Sequence, residues 1–227
     1  MDFAAIASAG IPVLCLDTCS LLDLMRDPTR ETAIAGERQA GHDLVAAAEA
    51  GHLAILMADQ VRTEFVSHDA EVEDEARRNL KRLREQVVRV HQLAAVYGAT
   101  GSLDLSHLDD HVARARGLVD RWLAVAVQVL PSANAPGKAF ARVNAARAPA
   151  LRGKDSSKDC LVFETYLEVV ARLRAKGGSG KIVLISSNTR DYLTEGKVLK
   201  AEIATDLAPF SVDYAAKMQH ARHLLGL

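Results

Sequence analysis

The sequence contains few aromatic residues, and this scarcity argues against several fold classes. Phe, Trp and Tyr make up 4% of the 227 residues, although 49% of the residues are hydrophobic, so most apolar side chains are Ala, Val and Leu. Such a composition suits helices packed on a parallel sheet better than an antiparallel sandwich, which is rich in aromatics and turns. The length is sufficient for one α/β domain, with or without an insertion.

Cysteine, net charge and long hydrophobic runs are also scarce. The three cysteines, Cys15, Cys19 and Cys160, lack the paired spacing of a disulfide framework, and no charged segment precedes the short apolar start as in a secretion signal. The longest apolar runs, such as Leu123 to Leu130, fall far short of the roughly 20 residues that span a bilayer. We therefore expect a cytoplasmic protein with no membrane partner. Because the formal net charge is −1, nucleic acid binding would need a local basic surface.

Three short apolar runs have the composition of buried strands, and helical segments separate them. The runs are Ile11 to Leu16, Leu53 to Met57 and Ile182 to Ile185. The helical segments include Ser20 to Met25, Glu37 to Ala50 and Asp159 to Ala175, and Asp59 is placed to cap the helix that follows the second run. This alternation predicts a three-layer α/β/α fold with a central parallel sheet, formed by residues 1–227 as a single domain.

Two further helices have a narrow apolar seam with a spacing of three and four residues. One runs from Val72 to Tyr97, and the other from Ala115 to Val129, where Pro131 stops it. Together they predict a helical hairpin inserted at about residues 70–130. A coiled coil with a second chain would show the same seam, so a homodimer is an alternative. Ser132 to Lys154 is predicted as loop plus short helix, and Tyr214 to Leu225 as a final helix.

Acidic and amide residues follow the predicted strands. Asp17-Thr18 ends the first, Glu64 lies in the first turns of the helix after the second, Asp159 begins the helix that leads to the last strand, and Asn188 and Asp191 follow that strand. These points share one edge of a parallel sheet. Carboxylates that meet there repel one another unless a cation intervenes, and hard oxygen ligands favour Mg²⁺ or Mn²⁺. Such a site predicts metal-assisted phosphoryl transfer.

Each of these residues also has a simpler interpretation when it is taken alone. Asp17 and Asp159 are good helix caps, Glu64 could be a solvated helix residue, and the Thr18 hydroxyl could satisfy the backbone at the end of the strand. The order of all the features along the chain favours a shared site over four separate structural roles.

A basic segment lies before the last predicted site helix. No acidic residue occurs between Asp120 and Asp155, whereas basic residues are frequent there and just beyond: Arg121, Lys138, Arg142, Arg147, Arg152, Lys154 and Lys158. This bias makes the segment a candidate track for a phosphate backbone. An ordinary basic surface, or a contact with an acidic partner, would have the same composition.

Four motifs in this order resemble those of PIN-domain nucleases. Val13 to Leu22 resembles the first motif, an apolar strand leading to Asp and a small hydroxyl residue, and Val61 to Phe65 resembles the second, a helical Glu. Lys158 to Val162 is similar to the third, in which an Asp opens a helix. Ile182 to Tyr192 is similar to the fourth, but Asn188 stands where many PIN domains have an acidic residue. The chain is also longer than a minimal PIN toxin.

The resemblance implies a PIN-like fold and a metal-dependent endoribonuclease that cleaves single-stranded RNA with Mg²⁺ or Mn²⁺. It implies Asp17, Glu64 and Asp159 as the principal metal ligands, with Asp191 as a further ligand and Asn188 as a catalytic residue. Thr18 and three residues of the basic segment, Arg152, Lys154 and Lys158, would position the substrate.

Other functions remain open from the sequence. A non-catalytic PIN-like module would bind RNA or protein without cleaving it. A toxin-type nuclease would be held by an antitoxin or another regulatory protein. An acid-clustered phosphatase would act on small molecules instead of RNA.

Overall fold

A parallel sheet forms the centre of the computed structural model, which describes residues 3–195 and 197–227. Five strands were found in these residues: β1 Val13–Leu16, β2 Ala54–Ala58, β3 Val127–Val129, β4 Ile182–Ile185 and β5 Val212–Ala215. The helices of the same residues are α1 Phe3–Ala9, α2 Thr18–Asp23, α3 Ala35–Glu49, α4 Asp59–Val96, α5 His111–Val125, α6 Ala135–Asn144, α7 Ser157–Ala175, α8 Thr189–Tyr192, α9 Ala201–Leu207 and α10 Met218–Leu225.

The strand order is β3-β2-β1-β4-β5, and every adjacent pair is parallel. Leu16 at the end of β1 is in register with Met57 of β2 and Ile185 of β4, so these three strands end at nearly the same level. From β1 the strands are added in one direction across the sheet, to β2 and β3, and β4 and β5 are then added on the other side of β1. Side chains that follow β1 and β4 therefore meet at the switch point, where α/β proteins bind their ligands.

Helices cover both faces of the sheet. Helix α3 packs against α5 and α10, while α7 packs against α1, α4 and α6. Strands β1, β2 and β4 are buried along their whole length, as expected for central parallel strands covered on both faces. The predicted three-layer α/β/α fold is confirmed. Among the described residues no helix combines the length and the apolar character that a membrane span requires.

Two edge strands were not predicted from the sequence. The predicted helix from Ala115 to Val129 ends at Val125, and Val127–Val129 forms β3 because Ala126 has an extended backbone, with φ −67° and ψ 132°. The predicted helix from Tyr214 to Leu225 was also wrong at its start, since Tyr214 and Ala215 belong to β5. Both strands are short and only partly buried, so they lack a continuous apolar run.

Helix α4 is longer than the sequence pattern indicated. It runs without a break through Val72, where a separate helix was predicted to begin. Ala58 is its N-cap residue, and Asp59, which was predicted to cap it, instead accepts a hydrogen bond from Gln128 Nε2 at 2.5 Å. Arg116 of α5 forms an ion pair with Asp69 of α4 at 2.7 Å. Burial along α4 ends at Leu80, so its last four turns extend beyond the packed core.

Candidate active site

Asp17 lies at the carboxyl end of β1, and both of its carboxylate oxygens accept hydrogen bonds. Oδ1 accepts from the backbone N–H of Thr18 at 2.8 Å, and Oδ2 accepts from Ser186 Oγ at 2.5 Å and from Cys19 Sγ at 3.0 Å. Only 6% of Asp17 is exposed. Burial, reinforced by the Asp17 carboxylate, raises the pKa of the Cys19 thiol, which therefore remains a proton donor. Asp17 is thus both the N-cap residue of α2 and a fixed anion at the sheet edge.

Thr18 connects α2 to Glu64 of α4. Its Oγ1 donates to Glu64 Oε2 at 2.9 Å, and Gln60 Nε2 donates to Glu64 Oε1 at 3.2 Å. Glu64 is partly buried and faces the end of β1, so it is not a freely solvated helix residue. These bonds hold a second carboxylate in a defined orientation beside Thr18, the residue that follows Asp17.

Asp159 and Asp191 are joined by a lysine side chain. Lys154 Nζ donates to Asp191 Oδ2 at 2.7 Å and to Asp159 Oδ2 at 3.2 Å. Asn188 Nδ2 also donates to Asp191 Oδ2. Asp191 is fully buried, and its other oxygen, Oδ1, is buried without a hydrogen-bond partner among the described residues. Lys154, on the loop before α7, therefore links α8 to α7 through charged side chains.

The carboxylates that lie near Asp159 affect its pKa. Burial, together with the nearby Asp191 and Asp17 carboxylates, raises the pKa of Asp159 to about 6, against the opposing effect of Lys154. Burial alone would lower the pKa of Lys154, but its bonds and charge interactions with Asp191 and Asp159 outweigh burial and raise it. Lys154 is therefore a permanent cation at neutral pH, placed between two acidic side chains.

Ser186 and two tyrosines contribute to the site without having been predicted as site residues. Ser186 is fully buried at the end of β4, where its Oγ donates to Asp17 and accepts from the backbone N–H of Asn188 at 3.2 Å. Tyr214 Oη donates to the Ser186 carbonyl at 2.7 Å, and the Tyr214 ring stacks on Tyr192. The available sequence signal for Ser186 was its position directly after a buried strand that pairs with β1.

Tyr166 of α7 forms hydrogen bonds to the backbone at the same edge of the sheet. Its hydroxyl accepts from the backbone N–H of Ala58 at 3.0 Å and donates to the Leu16 carbonyl, so it connects the ends of β1 and β2. The side chain is buried, and burial raises its pKa well above the ordinary value. Its amphipathic position in α7 predicted a core residue but gave no indication of these hydrogen bonds.

Most of the predicted basic track is neutralised within the protein. Arg121 pairs with Glu49, Lys138 with Glu168, Arg147 with Asp206, and Arg142 with both Glu164 and Asp206. Arg142 is also buried over the ring of Phe163. Arg152 and Lys158 differ: both are exposed, and neither has an ion pair among the residues that the structure describes. With Lys154, they are the basic side chains of this segment closest in sequence to the acidic site.

The acidic side chains fit a hard divalent cation in their chemistry. Asp17, Glu64, Asp159 and Asp191 supply carboxylate oxygens, which Mg²⁺ and Mn²⁺ prefer. The unpartnered Oδ1 of Asp191 and the Lys154 ammonium between two carboxylates both mark a demand for positive charge. Over the described ranges, however, no three His, Cys, Asp or Glu side chains converge closely enough to hold a metal ion as they stand.

Comparisons with known proteins address the family of the chain. A family model described as PIN domain matches residues 14–192, a range that runs from the first of the four motifs to the end of the fourth. No curated protein and no solved structure gave a significant match.

Proposed function

The chain belongs to the PIN-domain family, as its four motifs predicted, and from this premise we propose that it is a metal-dependent endoribonuclease acting on single-stranded RNA. PIN domains are generally nucleases and generally use divalent metal ions. The observation that carries the proposal is the acidic edge of the sheet: carboxylates from the β1–α2 junction, α4, α7 and α8 lie around one switch point, where hydrogen bonds and charge interactions connect them.

Asp17, Glu64, Asp159 and Asp191 would hold the cation, for which Mg²⁺ and Mn²⁺ are the candidates. When bound, it would activate water for in-line attack on phosphorus and stabilise the charge on the departing oxygen. The side chains around it have supporting roles. Ser186 and the Thr18 N–H fix the rotamer of Asp17, and the Thr18 hydroxyl fixes Glu64. Such prior orientation reduces the reorganisation that binding would require.

The basic side chains near the site would contact the RNA backbone. Arg152, Lys154 and Lys158 lie within seven residues of Asp159 in the sequence. Arg152 and Lys158 carry no internal ion pair in the described part of the chain. Their charges suit phosphate groups on either side of the cleaved bond. The preference for RNA over DNA comes from the family resemblance, because the acidic site provides phosphate chemistry and no 2′-hydroxyl readout.

The test is cleavage of a labelled single-stranded RNA by the purified chain in EDTA, Mg²⁺ or Mn²⁺, beside a DNA strand of the same sequence. We expect divalent-dependent cleavage of the RNA and a loss of roughly a thousandfold in Asp17→Asn, since metal stabilisation contributes several kcal/mol to such reactions. Asp213→Asn is the matched control, because Asp213 is an exposed carboxylate on β5. Equal rates in EDTA and Mn²⁺, or full activity in Asp17→Asn, would refute the proposal.

A non-catalytic binding module is the second candidate. Asn188 supplies an amide where many PIN domains have an acid, and Lys154 already compensates part of the negative charge. Both features lower the demand for a metal. This function predicts that the wild-type chain binds RNA in EDTA with the same affinity as in Mn²⁺ and leaves the strand uncut. A toxin role would instead require growth arrest on expression and rescue by a cognate antitoxin.

A further inference from the structure

A cleft of about 640 Å³ opens directly beside the acidic site. Cys19 and Ser20 of α2 line one part of it, and Ser187 and Asn188 after β4 line another. Ser20 Oγ accepts from the backbone N–H of Ser187 at 3.0 Å, so the two parts form one continuous floor between the ends of β1 and β4. The cleft therefore shares its edge with Asp17 and extends away from it, on the side of α3 and α10.

The outer wall of the cleft is fixed by side chains from two helices. Buried Asp27 accepts hydrogen bonds from the N–H and hydroxyl of Thr29 and from Asn79 Nδ2 of α4. Arg38 of α3 donates to the carbonyls of Leu24 and Arg26, at 2.7 and 2.6 Å. The first part of the loop between α2 and α3, residues 24–29, is thus anchored. A ligand would enter a cleft whose wall is already formed by this part of the loop.

Cations outnumber carboxylates by four to three in the lining of the cleft. Four cations line it, of which Arg26 is paired with Asp23 and Arg38 is turned towards the backbone carbonyls. Arg30 and Lys217 are exposed and have no ion pair within residues 3–195 and 197–227. Of the three carboxylates in the lining, Asp23 is paired with Arg26, and Asp27 accepts from Thr29 and Asn79. Glu37 Oε2 accepts from the backbone N–H of Met218 at 2.7 Å, and Glu37 Oε1 is buried without a hydrogen-bond partner among the described residues.

The same cleft offers an apolar surface next to these two cations. Ile34 is 45% exposed at its rim, and the buried side chains of Ile185 and Met218 lie beneath it. A nucleotide has both properties that the lining would match, a charged phosphate and a flat, largely apolar base. The volume lies within the range of about 300–1,000 Å³ that is typical of small-molecule pockets.

We propose that this cleft binds an unpaired nucleotide of the substrate strand next to the scissile phosphate, with Arg30 and Lys217 contacting its backbone phosphates. The proposal rests on the proposed ribonuclease function for the identity of the strand. It assigns a substrate-binding role to the α2–α3 loop and to the β5–α10 connection. Neither segment belongs to the four motifs.

The test measures binding of a short fluorescein-labelled RNA to the full chain in EDTA over a series of salt concentrations. In Arg30→Ala/Lys217→Ala we expect weaker binding and a plot of log affinity against log salt that is flatter by about 1.4, because each phosphate contact on a single strand contributes about 0.7. Lys176→Ala/Lys181→Ala is the matched control, since it removes two exposed lysines near the amino end of β4, at the opposite edge of the sheet. An unchanged slope in the cleft variant would overturn the proposal and favour an acidic protein segment as the occupant.

A crosslinking measurement locates the bound base independently of affinity. An RNA with one 4-thiouridine next to the cleaved position should crosslink to the 24–38 segment or to residues 216–218, and crosslinks confined to other segments would contradict the cleft. The outcomes separate the two proposals. If the RNA is cleaved but the cleft variant binds it like the wild-type chain, the nucleotide site is refuted and the nuclease proposal stands. If RNA binding depends on the cleft but no metal-dependent cleavage occurs, the nucleotide site stands and the nuclease proposal is refuted.

Discussion

The ammonium group of Lys154 lies between two of the carboxylates that would bind a metal. It donates to Asp159 and Asp191, and Asp191 accepts from Asn188 through the same oxygen. A divalent cation at these two acids would compete with the lysine for the same oxygens, because like charges repel at such distances. The Lys154 side chain is 43% exposed and lies on a loop, so it has solvent into which it can move. There it would lie beside Arg152 and Lys158, ready to contact phosphate.

We expect Lys154→Met to bind Mn²⁺ more tightly than the wild-type chain, by roughly fivefold, since about 1 kcal/mol of competition from a partly exposed ion pair would be removed. Isothermal titration of the full chain with MnCl₂ in the absence of RNA measures this affinity. The same variant should bind RNA less tightly. Lys158→Met is the control, because Lys158 is exposed and has no ion pair in the described residues. Weaker Mn²⁺ binding by Lys154→Met would mean that the lysine supports the metal site.

At the scale of the elements, helix α7 determines the position of the strand ends through Tyr166. Removing the hydroxyl in Tyr166→Phe leaves the backbone N–H of Ala58 and the carbonyl of Leu16 without this partner. We expect the free energy of unfolding to fall by about 1–3 kcal/mol, the usual effect of leaving a buried polar group unsatisfied. Urea denaturation followed by circular dichroism measures it. Tyr97→Phe, at a tyrosine that is 90% exposed, should have no effect. Equal midpoints for both variants would contradict the supporting role of Tyr166.

The first half of helix α4 is packed on the core, and its second half projects beyond the core. Its buried residues, from Val61 to Leu80, anchor the first part, whereas Val88, Leu93 and Val96 beyond them are exposed. We expect amide hydrogens of residues 84–96 to exchange much faster than those of residues 61–80, because few tertiary contacts oppose local unfolding of the projecting half of the helix. Hydrogen-exchange mass spectrometry measures both segments. Equal, strong protection at micromolar concentration would indicate that a second copy covers the apolar side chains, as in the homodimer that the sequence left as an alternative, and light scattering would give a dimer mass.

At the scale of the whole molecule, burial decided which parts of the fold could be predicted from the sequence. Strands β1, β2 and β4 are covered on both faces, so each reads as a continuous apolar run, and the Asp or Ser that follows it marks the sheet edge. The edge strands β3 and β5 are covered only in part. Their Val-Gln-Val and Val-Asp-Tyr-Ala sequences fit a helical spacing equally well, and only pairing with β2 and β4 makes them strands.

The candidate site was predictable in its acids but not in their partners. Asp17 follows a strand, and Glu64 and Asp159 lie in the first two turns of helices, so the order of the elements brings these acids towards one edge. The inward turn of Lys154, the bond from Ser186 to Asp17 and the neutralisation of Arg142 by Glu164 depend on contacts between residues far apart in sequence. No local pattern encodes these contacts, because they arise from packing. This is why the basic segment suggested a longer phosphate track than the folded chain presents.

Because the four acids belong to separate elements, a bound metal should stabilise the whole fold and not one loop. A ligand that binds only the native state, at a hundredfold excess over its Kd, adds about 2.7 kcal/mol to the free energy of unfolding. For a domain of this size we expect Mn²⁺ to raise Tm by roughly 5 to 10 °C over EDTA in differential scanning calorimetry. Asp159→Asn should lose most of this increase, while Asp213→Asn should retain it, since Asp213 is exposed on β5. An equal increase in Asp159→Asn would mean that Mn²⁺ binds elsewhere on the chain, and the acidic edge of the sheet would then no longer be the metal site.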